Sequence, residues 1–377
     1  MAIEIKEVTT RKLMREFIHL PKKIHKNHSN WVPPIYMDEW TFFDIKKNRA
    51  FDHCSTVLFL AEKSGEIVGR IMGIISHQYN ETHKINDARF CFLETYEDYE
   101  VFSELMNKVV DWAKNNGMNK IVGPLGFSDK DPQGWLFEGY DQPIVIATNC
   151  NFPYINKFVE QMSFTKEVDL VVYRIPIPNE LPEFYKSIYK RFTGKESNLV
   201  LKEFSQRRHV KPYIHKVLTL LNETFAGIYG FVPFTHKEMD DFANRYLYLI
   251  NPHFIKIFVD KNDQVVSFLV AMSDISEGIK KSKGYLIPWG FIPLLTSGRK
   301  SKQLNLLLGG IAPGYQGRGL DVMMGIKLIE SAKKAGKVVI DSHLELETNV
   351  KVRAEMEKMG GEVYKRYRIY QKSFNSN

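Results

Sequence analysis

The sequence predicts a mixed α/β (α+β) protein in which one strand-and-helix unit is used twice. Three observations carry that reading. The chain has 377 residues, more than one hydrophobic core usually serves. Two hairpin-like segments, "VLFLAEKSGEIVGRIMGII" at 57–75 and "FIKIFVDKNDQVVSFLVAM" at 254–272, occupy corresponding places in its two halves. Each is followed by an apolar strand, a helix ending "AKNNG" or "AKKAG", and another strand.

In the first half the hairpin turns at Ser64-Gly65. The strand "ARFCFLE" (88–94) leads into a helix over 99–117, where Phe102, Leu105, Met106, Val109 and Trp112 form one apolar stripe. "NKIVGPLGF" (119–127) reads as a strand and "PYINKFVEQMSF" (153–164) as a helix. The second half turns at Asn262-Asp263 and continues with the strand "LNLLLGGI" (304–311). Its helix spans 319–336, with Val322, Ile326 and Ile329 on one face, helped by Met323. "KVVIDSHLELE" (337–347) reads as one strand and "NVKVRAEMEKMGG" (349–361) as a helix. Gly117 and Gly336 suit the left-handed position that ends a helix. Two domains, 1–177 and 198–377, each with its own sheet, are therefore expected, joined by a linker helix at 178–197.

Composition narrows the class. The opening "MAIEIKEVTTRK" lacks the apolar stretch of a secretory leader, and no window reaches the length of a membrane-spanning helix. Cys54, Cys91 and Cys150 are widely spaced, with no metal-ligand rhythm. A soluble cytoplasmic protein is expected, without membrane insertion and without a metal. A net charge of +8 suits a polyanionic ligand but equally suits simple solubility.

The sharpest local signal is "APGYQGRGLDVMMG" (312–325), a glycine-rich turn between an apolar strand and a helix. A helix N-terminus carries unpaired N–H groups and the positive end of the helix dipole. Glycines at 317 and 319 let a phosphate approach those groups, and Arg318 adds charge at the rim. The loop is neither a P-loop nor a dinucleotide fingerprint. At the corresponding place the first half reads "FLETYEDYE", whose carboxylates repel a pyrophosphate, so only the second half is expected to bind an anion.

These residues resemble a family. "QGRGLD" (316–321) is similar to the coenzyme A pyrophosphate motif of the GNAT acyltransferases, Arg/Gln-x-x-Gly-x-Gly/Ala. "NVKVRAEMEKMG" (349–360) resembles that superfamily's following helix. The resemblance implies two tandem GNAT-like domains, the first a degenerate copy, each a twisted mixed sheet flanked by helices. In that fold the fourth and fifth strands splay apart to admit the thioester. It further implies that acetyl-CoA or another acyl-CoA binds at Gly309, Gly310, Ile311, Gln316, Gly317, Arg318, Gly319, Leu320, Asp321 and Asn349, with no metal. The oxyanion donor is then a backbone N–H near Gly309–Ile311. Two departures stand out: Asp321 replaces the final Gly or Ala and reads as a first-turn helix acid, and Met356 replaces the usual tyrosine acid.

Acyl transfer to an amine needs a base. Read as a strand, "VVIDSHLELET" (338–348) places Asp341, His343, Glu345 and Glu347 on one face, as a wet cleft would require. Glu345 and His343 are the candidate catalytic residues. "YLIPWGFIPLL" (285–295) reads either as the wall of an apolar pocket, through Trp289 and Phe291, or as domain-interface packing. The reading is an acyl-CoA-dependent N-acyltransferase (an N-acetyltransferase in the simplest case) acting on the amine of a small molecule or peptide. No specific nucleic-acid partner is expected. Two alternatives stay open, a Fem-like transferase using aminoacyl-tRNA and a non-catalytic acyl-CoA or small-molecule binder. The acceptor, the acyl length and the oligomeric state are not fixed by the sequence.

Overall fold

The computed structural model describes residues 2–193 and 198–374; residues 194–197 of the expected linker lie outside the described residues. The first half runs β1 (Ile3–Glu7), α1 (Arg11–Ile24), α2 (Tyr36–Phe42), β2 (Cys54–Lys63), β3 (Glu66–Ser76) and α3 (His77–His83). It continues with β4 (Asp87–Thr95), α4 (Tyr99–Asn115), β5 (Lys120–Gly123), β6 (Trp135–Glu138), α5 (Pro153–Gln161) and β7 (Thr165–Pro176). Helix α6 (Glu183–Thr193) follows. The second half opens with β8 (Val200–Glu203), α7 (Arg207–Val210), α8 (Ile214–Phe225), α9 (His236–Tyr246), β9 (Ile255–Val259) and β10 (Val265–Ser273). Next come α10 (Ser276–Ser282), α11 (Phe291–Lys300), β11 (Gln303–Ile311) and α12 (Leu320–Lys334). The chain closes with β12 (Val339–Asp341), β13 (Glu345–Leu346), α13 (Val350–Lys358) and β14 (Glu362–Ser373).

The repeat is visible in register as well as in order. The first half pairs β4 with β5 in parallel through Asp87–Lys120, Ala88–Ile121 and Arg89–Val122. The second half pairs β11 with β12 through Gln303–Val339, Leu304–Ile340 and Asn305–Asp341. In both halves the longer strand runs on after pairing stops, so the two strands splay. Each long strand also carries one extra residue against its hairpin partner. Ile71 opposes both Phe92 and Leu93, and Leu307 is inserted between Leu306 and Leu308. Phe92, at the bulge, takes φ 52°.

The expectation of two separate sheets is corrected. A single 14-stranded sheet runs through the molecule in the order β1-β2-β3-β4-β5-β14-β7-β12-β11-β10-β9-β8, with β6 pairing on β14 and β13 on β7 beside that path. The reason is an exchange of closing strands. β14 of the second half pairs with β5 of the first, and β7 of the first pairs with β12 of the second. β7 and β14 then pair with each other from Glu362–Arg174 to Gln371–Thr165, which seals the halves together. Their apolar faces carry the buried Val171, Val172, Tyr173, Tyr367 and Ile369. A cut along the chain at 178–197 therefore does not separate two units in space.

The helices cover the sheet as the apolar stripes require. Phe102, Leu105, Met106 and Val109 of α4 are fully buried against the first half's strands. Val322, Ile326 and Ile329 of α12 are buried, with α6 lying along that helix through Tyr185 and Ile188.

Candidate functional site

The glycine-rich junction has the backbone the sequence implied. Gly317 takes φ 71° and Gly319 φ 82°, both in the left-handed region that favours glycine. Gly319 is the N-cap of α12, and no side chain caps the helix. Asp321 is the first-turn acid that the sequence implied, exposed and without a capping bond. Open space surrounds Gly314 and Gly317, whereas a Cβ on Gly319 would stand 3.0 Å from an Ile188 methyl. Arg318 is turned back on its own loop, donating to Gly314 O at 2.7 Å over the Tyr315 ring. Leu320 is fully buried and anchors the turn.

Strand β11 delivers Gly309, Gly310 and Ile311 to the same place. Ala312 N–H donates to Val266 O on β10. By strand alternation, the N–H groups of Gly309 and Ile311 then point to the splayed side, where β12 no longer pairs. Gln316 covers that side by donating to Ile311 O at 3.4 Å. Asn349 is not part of this cradle through its side chain, which caps α13 by accepting from Val352 N–H.

The first half differs at both matching points. Its α4 is capped by Asp98, which accepts from Val101 N–H at 3.2 Å and pairs with Lys63 at 2.7 Å. A carboxylate already sits where an anion would bind. Its splay is plugged by rings, with Phe42 and Phe43 packed on Phe92, and Phe42 also on Phe127.

The single strand expected over 337–347 is corrected. It breaks after Asp341 and resumes at Glu345, with His343 at φ 60°. The Ser342 hydroxyl and N–H bond the backbone of Tyr173, which pulls the chain out of line. The four ionisable groups therefore do not share a face. Asp341 is buried beside Lys365 at 3.8 Å and accepts from Tyr364. Glu347 pairs outward with Lys166 at 2.7 Å. His343 Nε2 meets Ile146 O at 3.1 Å, and burial lowers the pKa of the ring, so it is neutral with Nε2–H as donor. Glu345 is half-buried, and among the described residues no side chain pairs with its carboxylate. Burial alone raises its pKa to about 7.

For "YLIPWGFIPLL" the interface reading holds in part, since Tyr285 packs on Tyr36, and Leu286 and Leu294 share a cluster with Ile35 of the first half. Both leucines are buried, but Trp289 is 71% exposed, and Phe291 is exposed too. Neither wall nor interface describes those two rings.

One constellation escaped sequence reasoning. His25 Nε2 lies 3.0 Å from Glu94, and Arg70 clamps the same carboxylate at 2.5 Å, holding its pKa down at about 2. His25 Nδ1 meets His28 Nδ1 at 3.1 Å, and Cys150 Sγ stands 3.9 Å from His28 Nε2. Because Glu94 can only accept, His25 carries a proton on Nε2. Cys150 Sγ also lies 3.7 Å from His28 Nδ1. The trio of His25, His28 and Cys150 is also close enough to share a metal ion. His-x-x-His at a helix end was the readable signal, but Cys150 and Glu94 arrive from distant segments.

Residues 23–124 match the acetyltransferase (GNAT) family model, which places the match in the first half. The chain is 28% identical over 375 residues to the bacterial ceramide synthase of Caulobacter vibrioides, covering 97% of this chain and 96% of that protein. It is 27% identical over 368 residues to protein YghO of Escherichia coli K12, covering 95% and 92%. In fold it is similar to a tandem GNAT protein from the clavulanic acid biosynthesis pathway, with TM-score 0.60 and 8% identity over the whole of both chains.

Proposed function

The chain belongs to the GNAT acyltransferases, and from that premise we propose that its second half moves an acyl group from a coenzyme A thioester to an amine. The observation that carries this is the cradle: two left-handed glycines before an uncapped helix, beside a splay that the first half has plugged. Open space at Gly314 and Gly317 accommodates phosphate oxygens, and the α12 N-terminus supplies N–H donors and a positive dipole end. The thioester supplies the activated acyl carbon.

The residues of the chain divide the remaining work. Glu345, with a pKa near neutrality, takes the proton of the ammonium or of the attacking amine. The N–H groups of Gly309 and Ile311 face the side where an oxyanion develops. His343 is neutral, and its Nε2–H, bonded to Ile146 O, fixes the bend that carries Glu345. Met356 packs among apolar residues and provides no acid, so the leaving thiolate takes its proton from Glu345 or solvent. For the acceptor, the likeness to a ceramide synthase favours a long-chain amino alcohol, since a ceramide is its fatty amide.

Two substitutions at one position test the cradle. Asn and Asp both tolerate positive φ, so each keeps the turn. Gly317→Asp sets a carboxylate in the phosphate path, and coenzyme A titration should weaken on the order of a hundredfold, the loss of one or two charge-assisted hydrogen bonds. Gly317→Asn should lose far less. Equal binding by Gly317→Asp and wild type would refute the site.

A second reading has its own observation. The family match lies on 23–124, and His25–Glu94 is a buried acid–base pair in that half. If the first half runs the chemistry, His25→Gln abolishes thiol release from acyl-CoA while Glu345→Gln spares it.

A further inference from the structure

The two halves differ most where α3 and α10 end. Both helices close on a left-handed lysine, Lys84 at φ 55° and Lys283 at φ 51°. After Lys84 only residues 85 and 86 precede β4, whereas residues 284–302, including α11, precede β11. The insertion belongs solely to the half with the open cleft.

One side of the insertion is fixed. Leu286 and Leu294 are buried with Ile35, Ile275 and Ile279. Gly278 lets α10 meet α11 closely, since a Cβ there would lie 2.5 Å from Pro293 O and 2.7 Å from Leu294 Cα. The other side faces outward. Ile287 is 78% exposed, and Tyr285, Trp289, Phe291, Ile292 and Leu295 are exposed with it. Ile292, Leu295 and Arg299 share a face of α11, so the apolar stripe points at solvent and ends in a cation. Packing thus holds a contiguous apolar ridge in water, which a fold alone does not require.

The charge around the ridge selects what covers it. Lys281, Lys283, Arg299, Lys300 and Lys302 are exposed, and no carboxylate pairs with any of them among the described residues. Glu277 is the one acid between 276 and 302, and it pairs with Lys280. Lys22 adds a further cation 5.7 Å from the Tyr285 ring.

We propose that residues 284–302 dock this protein on the surface of an anionic phospholipid leaflet. The aromatic and aliphatic ridge enters the boundary between headgroups and acyl chains, and the flanking cations meet lipid phosphates. A second copy of the chain is the weaker occupant, because two like-charged rims would face each other. No helix among the described residues is long and apolar enough to cross a membrane, so the contact is peripheral. Ile146, which packs in the Leu286 cluster, also holds His343 through its carbonyl, so docking brings the cleft to the leaflet. The proposal stands on the insertion and its charge, whichever amine is acylated.

Cosedimentation with vesicles tests it. The full-length protein should pellet with phosphatidylcholine vesicles containing 30% phosphatidylglycerol and much less with phosphatidylcholine alone. Trp289→Ser/Phe291→Ser should cut partitioning at least tenfold, and Arg299→Gln/Lys300→Gln about fivefold per cation at low salt. These side chains are exposed, so circular dichroism and melting temperature should be unchanged. Wild type left in the supernatant, or variants that pellet like wild type, would overturn the proposal. So would dimerisation by light scattering that the Trp289/Phe291 variant abolishes without any vesicle binding.

Discussion

Glu345→Gln removes an ionisation that the fold pays for. The carboxyl moves from an ordinary 4.5 to about 7 through burial alone, and each pKa unit is worth about 1.36 kcal/mol. Ionising Glu345 inside the fold therefore costs about 3 kcal/mol. The sign follows from which state binds the proton. Below pH 4.5 the carboxyl is protonated in both states and the cost is absent. Between 4.5 and about 7 the unfolded chain has released the proton while the fold retains it, so stability falls as pH rises. Above 7 the whole cost is present. Gln cannot ionise, so the variant should match wild type near pH 4 and exceed it by up to about 3 kcal/mol at pH 8. Urea unfolding of both proteins at several pH values measures this difference, with pH effects from other groups cancelling between them. The same variant should lose about 10²–10⁴ in turnover as the base disappears, and wild-type turnover should rise with pH through about 7. A variant no more stable than wild type at pH 8 would mean the carboxylate is solvated or paired, and the argument for a poised base would fall.

Three further outcomes follow from the structure. Gly319→Val should lower the melting temperature with or without coenzyme A, because it meets the Ile188 methyl and sits at φ 82°; Ile188→Ala should recover only part of the loss, and a fully stable Gly319→Val would show the contact to be soft. Lys365→Met strands the buried Asp341 carboxylate and should cost about 3–5 kcal/mol in urea unfolding, whereas adding Asp341→Asn should recover part of it; additive losses would deny the pairing. Burial raises the Cys150 thiol well above its ordinary pKa, so alkylation of the native protein at pH 8, followed by mass spectrometry, should label it far more slowly than in urea; rapid native labelling would mean the His28 contact generates thiolate.

What the sequence determined by itself is local and periodic. Apolar stripes at helical spacing placed α4 and α12, because burial of one face is written every three to four residues. The glycines at 317 and 319 marked their own left-handed turns, because few other residues adopt positive φ there without strain. The carboxylates before α4 marked the start of that helix, and Asp98 caps it. Tertiary structure decided what depends on pairing across long separations. Whether β14 completes its own half or the other is invisible to periodicity, since either choice buries the same apolar face; β5 and β7 settle it by accepting β14 between them. The alternation in 338–348 was real in composition, but Ser342 finds backbone partners on Tyr173, so the strand breaks and its charges scatter. His25, His28, Glu94 and Cys150 converge only because α1, β4 and the segment before α5 meet in space. The outward turn of Trp289 and Phe291 was likewise undetermined: an apolar run states that it will leave water, and only the packing of Leu286 and Leu294 beneath it fixes which side chains remain for a partner to cover.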